Sequence, residues 1–292
     1  MTYAYFPGCS LRGTGKAYDE SLVAVFRALD IEMEELPDWN CCGATTYMSF
    51  DEIQSYALAG RNLAIAGKMK QDIVAPCAAC YLVLNKTHYY VHDYPHIRYT
   101  VDKALASIGL EYQGQVKVLH PLEILLNDFG LAKLKSKVKR PLREFKVAPY
   151  YGCQIVRPYS LFDNQRNPTS MDKLLEACGA KVVYYPVKTR CCGGSQKGSL
   201  PEIGLDLIYY LLKTAVDNGA NIISVACPLC QFNLEAFQKE AARDRVRQPL
   251  PIVYFTQLIG LALGIDERAL GLNRALIPLS AALTRKEELA HV

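Results

Sequence analysis

Strong charge of either sign is missing from this chain, where 33 basic residues stand against 29 acidic ones and the formal net charge is +4. A nucleic-acid surface needs clustered positives. The one dense run, "KLKSKVKRPLREFK" (133–146), reads as a solvated linker, so no nucleic-acid partner is expected. Long apolar runs are missing too. The longest, such as "LIGLALGI" (258–265), fall well short of the roughly 20 residues that cross a bilayer. The start, "MTYAYFPGCSLRG", lacks a basic segment followed by an apolar stretch, so no signal peptide is expected. These absences predict a cytoplasmic protein with no membrane span.

What the chain does have is cysteine, 11 among 292 residues. In a reducing compartment thiols persist, so such a content points to metal binding or redox chemistry over structural disulfides. Two segments, "WNCCGAT" (39–45) and "TRCCGGS" (189–195), each place adjacent cysteines before a glycine. Neighbouring cysteines rarely meet disulfide geometry, because their Cβ vectors diverge.

The cysteines repeat. Cys9, Cys41-Cys42 and Cys77-x-x-Cys80 are answered by Cys153, Cys191-Cys192 and Cys227-x-x-Cys230. Between tandem pair and CxxC lie 34 residues in both copies; between the first cysteine and the pair lie 31 and 37. A six-residue insertion in 156–170 accounts for the difference. The flanks repeat as well: "AYFPGC" answers "APYYGC", and "DIVAPCAAC" answers "IISVACPLC". The chain is therefore a duplication, divided as 1–138 and 139–292. The eleventh cysteine, Cys178, aligns with Ala28 and reads as packing at a helix end, with Gly179 as its cap.

Half of the composition is apolar, enough for two cores. Each copy alternates short strand-like runs (3–6, 32–36, 72–76, 116–120; later 146–151) with helical stretches such as 17–30 and 51–70. That alternation predicts an α/β fold of two tandem homologous domains. Each would be a small, mostly parallel sheet flanked by helices, the two related by a pseudo-twofold. The cysteines then fall at carboxyl ends of strands, where open α/β sheets place ligands. Both CxxC pairs would open a helix, whose amides and dipole favour thiolate.

Structural zinc takes four tetrahedral ligands, and five cysteines per copy leave one over. A thioredoxin-like dithiol would leave Cys9 and the tandem pair idle. An iron–sulfur cluster fits best, although no C-x-x-C-x-x-C run for an ordinary cubane is present. Zinc stays possible in one site.

With these motifs the chain resembles the cysteine-rich CCG domain, duplicated as in the B-type subunit of heterodisulfide reductase, from "FPGC" to "FTQLIGLALG". The resemblance implies two 4Fe-4S clusters of noncubane type. One would be held by Cys9, Cys41, Cys42, Cys77 and Cys80, the other by Cys153, Cys191, Cys192, Cys227 and Cys230. It implies an oxidoreductase acting on sulfur groups, splitting or forming a disulfide between two facing clusters. The alternative it carries is a CCG-type electron-transfer subunit serving quinone or another acceptor, or working in a benzoyl-CoA-reductase-type or sulfur-oxidation complex. The chain shows no G-x-G-x-x-G, Walker A or ferredoxin motif. Electrons must then come from elsewhere, and the implied partners are a ferredoxin-like iron–sulfur subunit and a flavin-containing subunit. The small-molecule partner is a disulfide or thiol.

Other candidates are polar residues near the motifs: His120 and the cations Arg12, Lys16, Arg190 and Lys197, with Gln196. Gly43, Gly193 and Gly194 either let a substrate approach or serve tight turns. The strip "THYYVHDYPHIRY" (87–99) holds three of the five histidines and is a surface or partner candidate.

Overall fold

A computed structural model describes residues 2–44, 46–242 and 249–283. The first half runs β1 (Thr2–Tyr5), α1 (Lys16–Ala28), β2 (Glu32–Glu35), α2 (Glu52–Met69), β3 (Ile73–Val74), α3 (Ala78–Asp93), α4 (Pro95–Ala106) and β4 (Val118–Leu119). It closes with α5 (Pro121–Glu123), a π-helical stretch Ile124–Gly130 and α6 (Leu131–Lys137). The second half repeats the order as β5 (Lys146–Tyr150), α7 (Ser170–Ala177), β6 (Lys181–Val182), α8 (Pro201–Asp217), β7 (Ile222–Val225), α9 (Pro228–Ala236), β8 (Ile252–Tyr254) and α10 (Phe255–Ala262).

Local chemistry sets the helix ends. Asp51 caps α2 by accepting the amides of Ile53 and Gln54 at 3.1 and 3.2 Å, and Lys70 leaves it in the left-handed region. Proline opens α4, α8 and α9, where its missing N–H leaves no intrahelical bond unmade. The strand "EMEE" of β2 is charged and sits at the sheet edge, which discourages pairing with another chain.

Both sheets have the same order, β2-β1-β3-β4 and β6-β5-β7-β8, and every pairing within them is parallel. Helical crossovers are what parallel neighbours require. In each sheet the chain departs in opposite directions from two adjacent strands, β1 with β3 and β5 with β7. A crevice opens beyond their carboxyl ends.

The halves exchange helices. In the first, α1 packs on α10 of the second; its counterpart α7 packs on α5, α6 and the π-helical stretch, the counterpart of α10. This reciprocity is a pseudo-twofold. The interface is close: the buried hydroxyls of Ser21 and Thr256 meet at 2.6 Å, and nearer the surface Arg274 grips Glu20 through two bonds of 2.7 Å. The basic segment joining the halves is strapped down by its backbone. The amides of Lys139 and Arg140 donate to the Ala262 carbonyl, and Leu142 and Phe145 are buried, while its charged side chains stay largely exposed.

Because Ser21 and Thr256 satisfy each other in a buried interface, Ser21→Ala alone should cost about 1–3 kcal/mol by stranding the threonine hydroxyl. The double variant Ser21→Ala/Thr256→Val should recover most of that loss. Denaturant unfolding of the three chains checks it.

Candidate metal centre

Each of the two crevices collects one set of five cysteines. Cys9 and Cys153 follow β1 and β5, while Cys77 and Cys227 are the N-cap residues of α3 and α9 just beyond β3 and β7. The tandem pairs arrive from beyond β2 and β6. Cys9 and Cys41 are exposed, Cys153 and Cys191 half-buried, and the remaining six buried. Each crevice therefore has a covered floor and an accessible mouth.

Within each half the thiols act on one another in series. The Cys42 and Cys80 sulfurs are 3.3 Å apart; Cys41 also acts on Cys42, and Cys77 on Cys80. In the second half the series runs Cys153, Cys191, Cys192, Cys230, Cys227. Sulfur–sulfur contacts shift the thiols in opposite directions. The Cys42 thiol is pulled well below its ordinary range by bonds from Cys41 and Cys80; that of Cys191 is pulled down to about 2 by Cys153 and Cys192. Their donors Cys41, Cys80 and Cys153 are pushed up, and Cys192 reaches about 12. Cys227 is lowered by Cys230 and by backbone amides, among them that of Ala78 from the other half. The halves meet beside the second CxxC, where a Cβ on Gly15 would lie 2.9 Å from that of Pro228.

Two glycines make the sulfurs' approach feasible. Gly8 and Gly152 sit at φ +64 and +73, a region open chiefly to glycine. A Cβ on Gly8 would lie 2.9 Å from the Cys80 sulfur, and one on Gly152 would lie 3.1 Å from that of Cys230. This is why a glycine precedes the first cysteine of both sets. Gly43 and Gly193 are turn glycines at positive φ. The amides of Gly43 and Gly193 bond the sulfurs of Cys41 and Cys191, and their Cα faces press on Ser55 and Gly204. Gly194 lies against Leu229. For all three the close neighbour is the protein itself, so the turn and packing reading replaces substrate approach.

Five sulfur donors, some lowered by neighbouring thiols and then by backbone amides, with a glycine cradle at each second CxxC sulfur, fit a thiolate-held iron–sulfur group. Among the described residues no three metal-binding side chains close around a single-ion position; the sulfurs are strung out pairwise.

The polar candidates divide. His120 is corrected: it is wholly buried rather than facing a crevice, and its Nε2 donates to the Pro76 carbonyl at 3.0 Å while Nδ1 accepts from the Leu122 amide. Burial pulls it down to about 3 against the opposing Pro76 and Ala226 carbonyls. It is a neutral post between the strand ends that lead into Cys77 and Cys227. Arg12 is paired with Asp19 and Glu35. Lys197 lies 3.4 Å from Glu240 and over the Phe237 ring, which takes it out of the crevice. Lys16 and Arg190 are exposed, and the Arg190 carbonyl accepts from the Tyr150 hydroxyl. Gln196 lies 4.0 Å from the Cys191 sulfur.

The cation that does act on a cysteine is Arg157, which helps lower Cys191 and donates to the Thr189 carbonyl. Nothing in the sequence singles it out, because it lies in the insertion, where the other copy gives no counterpart. The insertion also places Phe162 parallel to His120, with centroids 6.3 Å apart, and Tyr159 against Tyr89. The strip 87–99 is therefore partly an internal contact. Its other rings cluster as Tyr56–Tyr90 and Tyr90–Tyr94 beneath Lys86. Cys178 caps α7, buried, with Gly179 at positive φ after it.

Known proteins are similar to this chain. The CCG family, a cysteine-rich domain, matches residues 3–85 and again 147–235. The membrane anchor subunit of 8-methylmenaquinol:fumarate reductase from Wolinella succinogenes is 32% identical over 94% of this chain and 96% of its own. The B-type subunit of ferredoxin:CoB-CoM heterodisulfide reductase from Methanosarcina mazei is 30% identical over 92% and 91%. A protein from Archaeoglobus profundus, named as like the B-type subunit of heterodisulfide reductase, is 30% identical over 91% and 92%. Among solved structures, a hypothetical protein from Helicobacter pylori superposes with a TM-score of 0.76 at 15% identity. The match covers 95% of this chain and about half, 52%, of that one, and it speaks to the fold.

Gly8→Ala should lose about 1–3 kcal/mol from the forced φ and also lose bound metal, because its Cβ displaces the Cys80 sulfur. Gly109→Ala is the control: its φ is +68 with nothing within 4 Å, so stability should fall while metal content holds. Metal analysis beside thermal melts separates the two.

His120 gives a pH test. Its folded value lies below its unfolded one, so the stability it contributes is complete above about pH 6.5 and is lost as pH falls toward about 3. Relative to His120→Gln, the metal-free chain should lose up to about 1.4 kcal/mol per pH unit in that window. Glu123, raised to about 7 by burial, works in the opposite sense and is common to both chains.

Proposed function

The chain belongs to the CCG cysteine-rich domain family, two copies in tandem, and from that premise we propose that it is the disulfide-handling subunit of a heterodisulfide-reductase-like complex. More coarsely, it is an iron–sulfur electron-transfer subunit of a multi-subunit oxidoreductase. The finer reading assigns two noncubane 4Fe-4S clusters, one to each set of five cysteines, in halves divided near 138/139.

The observation that carries it is the meeting of the two sets. The amide of Ala78, in the first CxxC, is close enough to the thiol of Cys227, in the second, to help lower it, and a Cβ on Gly15 of the first half would lie 2.9 Å from that of Pro228 inside the second CxxC. Splitting a disulfide takes two electrons and delivers two thiolates, and two adjacent centres match both demands. When bound, the clusters supply the electrons, one from each. The chain's own part is placement and charge. Cys42 and Cys191 are held as thiolates before metal arrives, which favours loading because ligands must be deprotonated. Arg157 lays positive charge beside Cys191 at an accessible mouth, suited to an anionic thiol. The buried ring of His120 and its Phe162 cover keep water from the floor between the sets.

Electrons would come from a ferredoxin-like subunit and a flavin-containing one. No helix of the described residues is long and apolar enough to cross a membrane, in keeping with a cytoplasmic place. A second reading, transfer toward a quinone, is favoured by the relative named as a menaquinol:fumarate reductase anchor.

The test is iron, zinc and acid-labile sulfide on anaerobically purified chain, then EPR after oxidation with and without thiols or a menaquinone analogue. Roughly eight irons, two four-iron clusters' worth, with thiol-sensitive spectra are expected. About four irons plus one zinc, or spectra that answer the quinone alone, would move the assignment to electron transfer. Zinc without sulfide would sink the proposal.

A further inference from the structure

Two tyrosines share the buried seam between the halves. Tyr18 on α1 and Tyr254 at the head of α10 come from opposite halves and stack face to face, centroids 4.4 Å apart and planes 11° from parallel. Both are fully buried, with exposures of 0% and 1%, and neither phenol hydroxyl has a hydrogen-bond partner. Phenylalanine would fill the same space without leaving a buried O–H unpaired, and buried hydroxyls ordinarily find a partner. Both lie beside the second CxxC: Tyr254 pairs with Val225, two residues before Cys227, and Gly15, whose carbonyl accepts the Tyr18 amide, packs against Pro228. After burial and their effect on each other, the charges that act most on Tyr18 are Cys227 and then Cys77. For Tyr254, after burial, they are the same two, with Glu235 and Cys230 behind them.

Repeat symmetry sharpens the point. Tyr254 ends β8 at the register that His120 holds after β4, since Val118 pairs with Ile73 as Ile252 pairs with Ile223. His120 has both ring nitrogens satisfied by backbone, whereas the tyrosine hydroxyl is left over.

We propose that Tyr18 and Tyr254 are positioning residues for the paired iron–sulfur centres, their hydroxyls donating hydrogen bonds to ligand sulfur at Cys77 and Cys227 where the two sets meet. The proposal rests on the iron–sulfur reading above and adds residues that no cysteine motif contains. Hydrogen bonds to ligand sulfur favour the more negative, reduced form and so raise the reduction potential. A stacked pair between the sets acts on both centres at once and raises both potentials.

The test uses the whole chain with Tyr18→Phe, Tyr254→Phe and both together. Iron and labile sulfide should match the wild type. In an EPR-monitored redox titration the one-electron reduction equilibrium should fall on the order of tenfold, about 59 mV more negative, and further in the double variant. The metal-free variants should melt at or above the wild-type temperature, because there the hydroxyl has no partner to lose. Unchanged potentials in an iron-replete double variant would overturn the proposal, as would a lower melting temperature of the metal-free variants. A wild-type chain without iron or sulfide would instead overturn the reading beneath it.

Discussion

Parallel strand order is the constraint on which the rest of this molecule depends. A parallel neighbour cannot be reached by a hairpin, so each strand must be followed by a crossover, and all strands of a sheet end on the same side. In the order β2-β1-β3-β4 the adjacent strands β1 and β3 send the chain to opposite sides, which opens a crevice at their ends. Cys9 and Cys77 are the residues just past those two ends, and Cys153 and Cys227 repeat the placement. Sulfurs remote in sequence are neighbours because the backbone leaves them nowhere else to be.

The duplication then turns one crevice into a pair. Neither half buries all of its helices alone; α1 and α10 cover each other across the pseudo-twofold, and α7 does the same with α5 and its extension. The consequence is functional. The contact that closes the core also sets the first half against the second CxxC, where Gly15 packs on Pro228 and the Ala78 amide helps lower Cys227. Symmetry is broken where the insertion of the second half reaches over α3 of the first with Phe162 and Tyr159, and where His120 faces Tyr254 at equivalent register. The two crevices differ accordingly: beside the first, Phe162 of the other half lies parallel to His120, and beside the second, Arg157 helps lower Cys191.

Electrostatics inside the crevices follow from having many acidic groups in little water. Thiols in contact cannot all ionise, so charge settles on one member of each tandem pair while its neighbours keep their protons. Cys42 takes that place in the first half and Cys191 in the second, and amides at the following glycine turn and the neighbouring backbone support both. The glycine after each pair serves that turn.

The sequence by itself determined the duplication, the parallel α/β class and the two sets of five cysteines, because each is written in local spacing: period, strand–helix alternation and repeat offset. It also separated Cys178 from the rest, since Ala28 does without a sulfur at the same place. What only the tertiary structure decided are matters of burial and partner. His120 reads as a strand-end histidine free to act, and the fold makes it a neutral internal post, because Pro76 and Ala226 converge on it from different halves. Lys197 is drawn off by Glu240, and Arg157 is brought to Cys191 from within an insertion that has no counterpart in the first copy. Tyr18 and Tyr254 carry no motif and lie 236 residues apart. They share a compartment only because packing across a pseudo-twofold joins positions that spacing along the chain cannot relate.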